Sequence, residues 1–198
     1  MSRFLFFILF INITPSVFYA QGLDYQILKD LDRLHSPADN KFQLFVSDAE
    51  RPIVIGVPLA MVGISFLNKD KDLRRKGLEA CASQVVTFLE TELIKTIVKR
   101  PRPYVTYPDL DNLSVESSWS FPSGHTSSAF AFATSLSLSY PKWYVVVPCY
   151  TLAAATGFSR MYLNVHYPSD VLVGAILGSA TAWATWKISK KLNKPRNK

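Results

Sequence analysis

Five apolar stretches, at 53–67, 78–98, 126–140, 143–158 and 171–186, set the limits on what this chain can fold into. Only 78–98 exceeds the length of roughly 18 residues that marks a membrane-spanning helix; the others run 15 or 16, which a buried helix of a soluble protein would also satisfy. All five are rich in Gly, Ala, Ser and Thr, the small residues that let membrane helices approach closely. Composition leans the same way, with 48% hydrophobic and only 19% charged residues.

The charges between the stretches decide. One side takes the N-terminus, the loop 68–77, the turn at Lys142 and the tail 187–198. That side holds 13 of the 22 Lys/Arg and only Asp70, Asp72 and Glu79 of the 15 acids. The other side holds nine basic and twelve acidic residues. Alternate connections therefore sort by charge, as the positive-inside rule requires, and the basic side is cytoplasmic. The net charge of +7 is a consequence of topology. It is not a nucleic-acid stripe, since basic and aromatic residues do not interleave as they do in single-strand binders. The expectation is an all-α, multi-pass transmembrane helical bundle in the cell (cytoplasmic or inner) membrane.

The N-terminus, MSRFLFFILFINITPSVFYAQG, has one arginine, an apolar core at Phe4–Ile13 and a cleavage point after Ala20. It reads as a secretory signal peptide, with Phe18 bulkier than the usual small residue. A retained first span is the alternative, giving six spans instead of five. The chain then divides into residues 1–20, an extracytoplasmic polar segment at 21–50, a membrane core at 51–186 and a basic cytoplasmic tail at 187–198. Cys81 and Cys149 lie within apolar runs and read as packing residues.

This topology brings three segments to the outer face. KTIVKRPRP supplies Lys95 and Arg102, with Pro101 and Pro103 ending the long helix. FPSGHT supplies Ser123, Gly124 and His125, and SRMYLNVHYPSD supplies Arg160, His166 and Asp170. Two guanidinium forks and an ammonium suit a phosphoryl group. Gly124 lets backbone N–H groups approach an anion at the start of the following helix. Pro168 reads as the first position of the last helix. Asp170 then falls in its first turn, where it can fix the tautomer of His166 and leave the other nitrogen nucleophilic. His125 is left to protonate a leaving oxygen. Singly, these residues have plainer readings: Lys95 a snorkelling helix end, Arg160 an interfacial anchor, Asp170 a helix cap. Together they read as a site.

Lys95-x6-Arg102-Pro103, Pro122-Ser123-Gly124-His125 and Ser159-Arg160-x5-His166-x3-Asp170 resemble, in order, the three-part signature of the type 2 phosphatidic acid phosphatase and haloperoxidase superfamily. The resemblance covers about residues 50–186, and HYPSDVLVG resembles its membrane-bound lipid phosphatase branch. It implies a hydrolase in which His166 attacks phosphorus and forms a phosphohistidine, supported by Asp170. His125 protonates the leaving group, and Lys95, Arg102, Ser123, Gly124 and Arg160 hold the phosphoryl oxygens. No metal and no cofactor are expected, because the cations supply the charge stabilisation. The expected partners are a phosphorylated lipid and the membrane. The alternatives are a phosphotransferase to a lipid or sugar acceptor, a vanadate-dependent haloperoxidase, or a non-catalytic lipid-binding protein.

Other residues are assigned structural roles. Lys99 and Arg100 read as snorkelling helix ends, Glu92 as a partner of Lys95, and His35 as a surface residue. The loop 104–121, with Tyr107, Asp109, Asp111, Glu116 and Trp119, reads as a substrate-facing rim.

Overall fold

The structure, a computed structural model, describes residues 16–193. The apolar core of the expected signal peptide and the end of the basic tail lie outside the described residues. Among the described residues seven helices follow in order: α1 (Ser16–Asp32), α2 (Pro37–Leu67), α3 (Lys71–Val98), α4 (Pro103–Thr106), α5 (Gly124–Ser139), α6 (Trp143–Tyr162) and α7 (Pro168–Leu192). There is no strand among the described residues. By length and composition, α2 and α7 can each cross a membrane.

α2 starts 16 residues before the apolar stretch it contains. The reason is local. The Ser36 hydroxyl accepts from the Asp39 N–H, Pro37 takes a first-turn position, and Asp39 adds an acid to the positive helix end. Pro52 and Pro58 lie within the helix and do not end it. The 31 residues rise about 46 Å, well beyond a hydrocarbon core of about 30 Å. α1 is continuous through Ala20. Residues 21–50, read as a polar segment, are thus almost wholly helical.

The bundle is built inside out. On α3 the inward positions are Gly77, Ala80, Ser83, Thr87, Thr91 and Lys95, all small or polar, at helical spacing. Its outward positions include Leu78, Leu89, Leu93 and Ile97, each more than half exposed. Ser127, Thr156 and Ser159 are likewise fully buried, whereas Leu172, Ile176 and Trp183 face outward. A soluble protein buries the second set and exposes the first. The arrangement suits a chain whose surroundings are apolar.

α5 sits at the centre, against α3, α6 and α7. Its closest neighbour is α7, through Gly174 and Gly178, a small-xxx-small pair. A Cβ on Gly178 would fall 2.0 Å from the Ser127 carbonyl oxygen, and one on Gly174 would fall 2.8 Å from that of Ser123. These are backbone atoms of a packed helix and cannot rotate away. The contact sets the start of α5 beside the start of α7, where the Ser123 N–H donates to the Asp170 carbonyl oxygen at 3.1 Å. Gly178→Val is expected to force the two helices apart, lowering the thermal midpoint in detergent by more than 5 °C. A melt within 1 °C of the parent would show that the seam tolerates a side chain.

Candidate active site

α3 ends at Val98, and Lys99 turns the chain in the left-handed region (φ 50°, ψ 41°). From that turn Arg100 and Arg102 reach two different places. Arg102 Nε donates to the Ser118 carbonyl at 2.8 Å, and its Nη1 donates to the Val165 carbonyl at 2.8 Å. The same Nη1 lies 3.3 Å from His166 Nε2. An arginine only donates, so Nε2 carries the lone pair and the ring proton sits on Nδ1. Nδ1 lies 3.5 Å from Asp170 Oδ2 and 3.5 Å from Ser120 Oγ. Burial pushes the His166 imidazole down to about 4, with Asp170 opposing the shift and Arg102 adding to it. At neutral pH the ring is therefore uncharged.

His166 is held from both sides. The N–H groups of Val165 and His166 both reach the Arg160 carbonyl, each at 3.2 Å, across a turn in which Asn164 takes a positive φ of 56°. Asn is one of the few residues that adopts this conformation readily. On the other side, Pro168 takes the first turn of α7, and Asp170 Oδ2 accepts from the Tyr167 N–H at 3.1 Å. Asp170 therefore caps the helix and faces His166 with one carboxylate.

A cavity of about 540 Å³ opens in front of His166. Lys95, Arg102, Gly124, His125 and His166 line its head, and Val54, Ile55, Pro58, Leu59, Val85 and Phe88 line its far part between α2 and α3. Lys95 Nζ donates to Ser118 Oγ at 2.8 Å and lies 3.6 Å from Glu92 Oε1. His125 has no hydrogen-bond partner among the described residues. A methyl group on Gly124 would meet Thr91 at 3.7 Å and Lys95 Nζ at 3.8 Å, ordinary contact distances. The N–H groups of Gly124 and His125 open α5 and are left free by its cap.

The remaining expected residues stand elsewhere. Ser123 is fully buried, and its hydroxyl caps α5 by accepting from the Thr126 N–H at 3.4 Å. It does not line the cavity. Arg160 borders a smaller polar chamber of about 280 Å³ that shares His125, Arg51 and Glu116 with the main cavity. Its guanidinium donates to Glu116 and to Ser47. Asp170 lies behind His166, out of the cavity.

Three sequence expectations are corrected. Arg100 is not a snorkelling end: its guanidinium pairs with Asp170 and Asp24 and stacks on Tyr167. His35 is not a surface residue: its side chain is 7% exposed, and Nε2 donates to the Tyr162 carbonyl at 2.8 Å. Much of the 104–121 loop is a fastening. Asp109 bonds Tyr25 and Lys29 of α1, and the Asp111 N–H donates to Asp32. Glu116 and Ser118 are its residues that face the cavity.

Sequence reasoning also missed Ser120, which donates to Asp170 Oδ2 at 2.5 Å, and Glu50. Glu50 is fully buried in the cavity wall, and neither carboxylate oxygen has a partner among the described residues. The position of Glu50, three residues before the first apolar stretch, was its only sequence signal.

Apolar residues outside, and two histidines and two cations at the head of an apolar cleft, define a class: helical membrane proteins with a cationic pocket built among their helices. The PAP2 superfamily model matches residues 76–194, and the chain belongs to that superfamily. It is 32% identical over 184 residues to the lipid A 4′-phosphatase of Bacteroides thetaiotaomicron, covering 88% of this chain and 80% of that one. Against the undecaprenyl-diphosphatase of Sulfolobus acidocaldarius it is 27% identical over 159 residues, covering 80% and 74%. The crystal structure of the transmembrane PAP2 type phosphatidylglycerolphosphate phosphatase from Bacillus subtilis superposes with a TM-score of 0.72 at 26% identity, covering 93% of this chain and 91% of that one. The chain spans between 14% and 86% of the length of the curated relatives it matches.

Proposed function

We propose that the chain is an integral-membrane, metal-independent phosphatase that hydrolyses a lipid phosphomonoester or pyrophosphate through a phosphohistidine on His166. The observation that carries this reading is the placement of His166 at the cavity head, with Nδ1 3.5 Å from Asp170 Oδ2 and Nε2 3.3 Å from Arg102 Nη1. The reaction runs in two displacements. Nε2 attacks phosphorus, the bond to the leaving oxygen breaks, and His125 gives that oxygen a proton. Water then attacks the phosphohistidine, His125 takes a proton from it, and the P–N bond breaks to release phosphate. Lys95, Arg102 and the free N–H groups at Gly124 stabilise the charge that builds on the phosphoryl oxygens. Arg160 supports them from the second chamber, and Ser123 by fixing the start of α5. The apolar far part of the cavity takes the lipid chain. The site faces the outer side, and the N-terminal segment is a signal peptide or a first span.

Phosphate release from a panel of isoprenyl diphosphates, phosphatidylglycerol phosphate, phosphatidate and lipid A, by purified protein with a chelator present, tests the reading. Release from none of them would overturn it, and transfer to an added alcohol in preference to water would favour a phosphotransferase. A cytoplasmic reporter fused after Lys198 tests the orientation.

The leaving group distinguishes the role of His125. His125→Ala is expected to lose about 10²–10⁴-fold on an alkyl phosphate. It should lose far less on p-nitrophenyl phosphate, whose leaving oxygen needs no proton. Equal losses on the two would remove His125 as the acid.

A further inference from the structure

We propose that Arg100 and Asp24 are positioning residues of this site, extending the Asp170–His166 pair into a row of alternating charge that ends on α1. The proposal rests on the reading of His166 as nucleophile and Asp170 as its partner. Neither Arg100 nor Asp24 belongs to the three motifs, and α1 lies before all of them.

The row is closely bonded. Arg100 Nη1 donates to Asp170 Oδ1 at 2.6 Å, and Nη2 donates to Asp24 Oδ2 at 2.8 Å. Its guanidinium carbon lies 3.6 Å from the centre of the Tyr167 ring, which fixes the plane of the fork. Asp24 also accepts from the Ser169 N–H at 3.0 Å and the Ser169 hydroxyl at 2.5 Å, so α1 caps the start of α7. Asp170 is fully buried and Asp24 nearly so. Buried carboxylates need complete pairing, and here each has it.

Each member therefore sets the charge felt by the next. Without Arg100, the buried Asp170 loses its counter-charge, and its negative charge acts undiminished on His166. Without Asp24, the Arg100 charge falls uncompensated on Asp170 and His166. The two losses push the basicity of His166 in opposite directions. The other groups around His166 are common to both variants: Arg102 after α3, Glu116 and Ser120 in the loop before α5, His125 on α5 and Arg160 on α6.

The test uses the full chain in detergent, with p-nitrophenyl phosphate and farnesyl diphosphate as probes and kcat and KM followed against pH. Asp24→Asn is expected to lower kcat about tenfold with KM nearly unchanged, on the scale seen when an outer partner of a working histidine is lost. Its acidic limb should move to lower pH, and that of Arg100→Gln to higher pH. Asp24→Glu should restore most of kcat. Adding Asp24→Asn to Asp170→Asn should cost little more, because the row is already broken. A raised KM at full kcat, limbs that do not move oppositely, or additive losses would each overturn the proposal. Full activity of Asp24→Asn beside an inactive Asp170→Asn removes the positioning role alone. Full activity of Asp170→Asn removes the reading of the nucleophile, and this proposal with it.

Discussion

His166→Ala is expected to yield no phosphorylated protein and to lose on the order of 10⁵–10⁶-fold in phosphate release, the scale on which removal of a nucleophile acts. No other side chain at the cavity head can replace it. Lys95 is bonded to Ser118, Arg102 cannot lose its proton, and His125 projects from the start of α5, whereas His166 lies in the turn between α6 and α7. The fold is expected to survive. Arg102 keeps its bonds to the Ser118 and Val165 carbonyls, and the space left by the ring opens onto an existing cavity. The measurement is acid-labile, alkali-stable label on the protein after a short exposure to phosphate-labelled lipid. Label retained by the Ala variant, or a loss of less than tenfold, would falsify the covalent role.

Asp170→Asn is expected to lose about 10³–10⁴-fold in kcat, as other histidine sites do when the orienting carboxylate becomes an amide. The amide has one oxygen where the carboxylate had two. Arg100 Nη1 can only donate and claims that oxygen. The amide nitrogen then faces the Tyr167 N–H, the Ser120 hydroxyl and His166 Nδ1–H, which all donate to this carboxylate or face it. The ring loses the acceptor that fixes its tautomer. The helix loses part of its cap, worth about 1 kcal/mol. Arg100 keeps Asp24, so the guanidinium is not left buried alone. A melt a few degrees below the parent with most activity gone is the expected pair of results. Near-full activity in a folded variant would reduce Asp170 to a cap.

The parts of this site that were legible in the sequence are those whose physics is local. A histidine behind Pro-Ser-Gly, and a Pro-Ser-Asp opening a helix after a histidine, mark helix starts by themselves. Charge sorting between apolar stretches marks sides without any knowledge of packing. Arg100 was not legible. A cation at the end of a span looks the same whether it snorkels to water or pairs inward. Its partners lie 76 residues before it and 70 after it. His35 failed in the same way, since the carbonyl that holds it is 127 residues away. The start of α2 was legible but was hidden by reading apolarity alone. Ser36-Pro37 with Asp39 announces a helix before any apolar residue arrives.

The threonine- and serine-lined interior of the bundle has a consequence for how its energetics are measured. A water-soluble protein carries its own oil inside and meets a fixed solvent. This chain has many of its oily residues on the outside, so the amphiphile around it supplies apolar contact that the interior does not. Trimming an outward leucine of α3 then changes little, because a detergent or lipid tail fills the gap. A methyl added to an inward threonine or glycine finds no such compliant neighbour. Melting temperatures of variants are therefore comparable only within a single detergent. A change of detergent is itself a substitution, made at every outward-facing position at once.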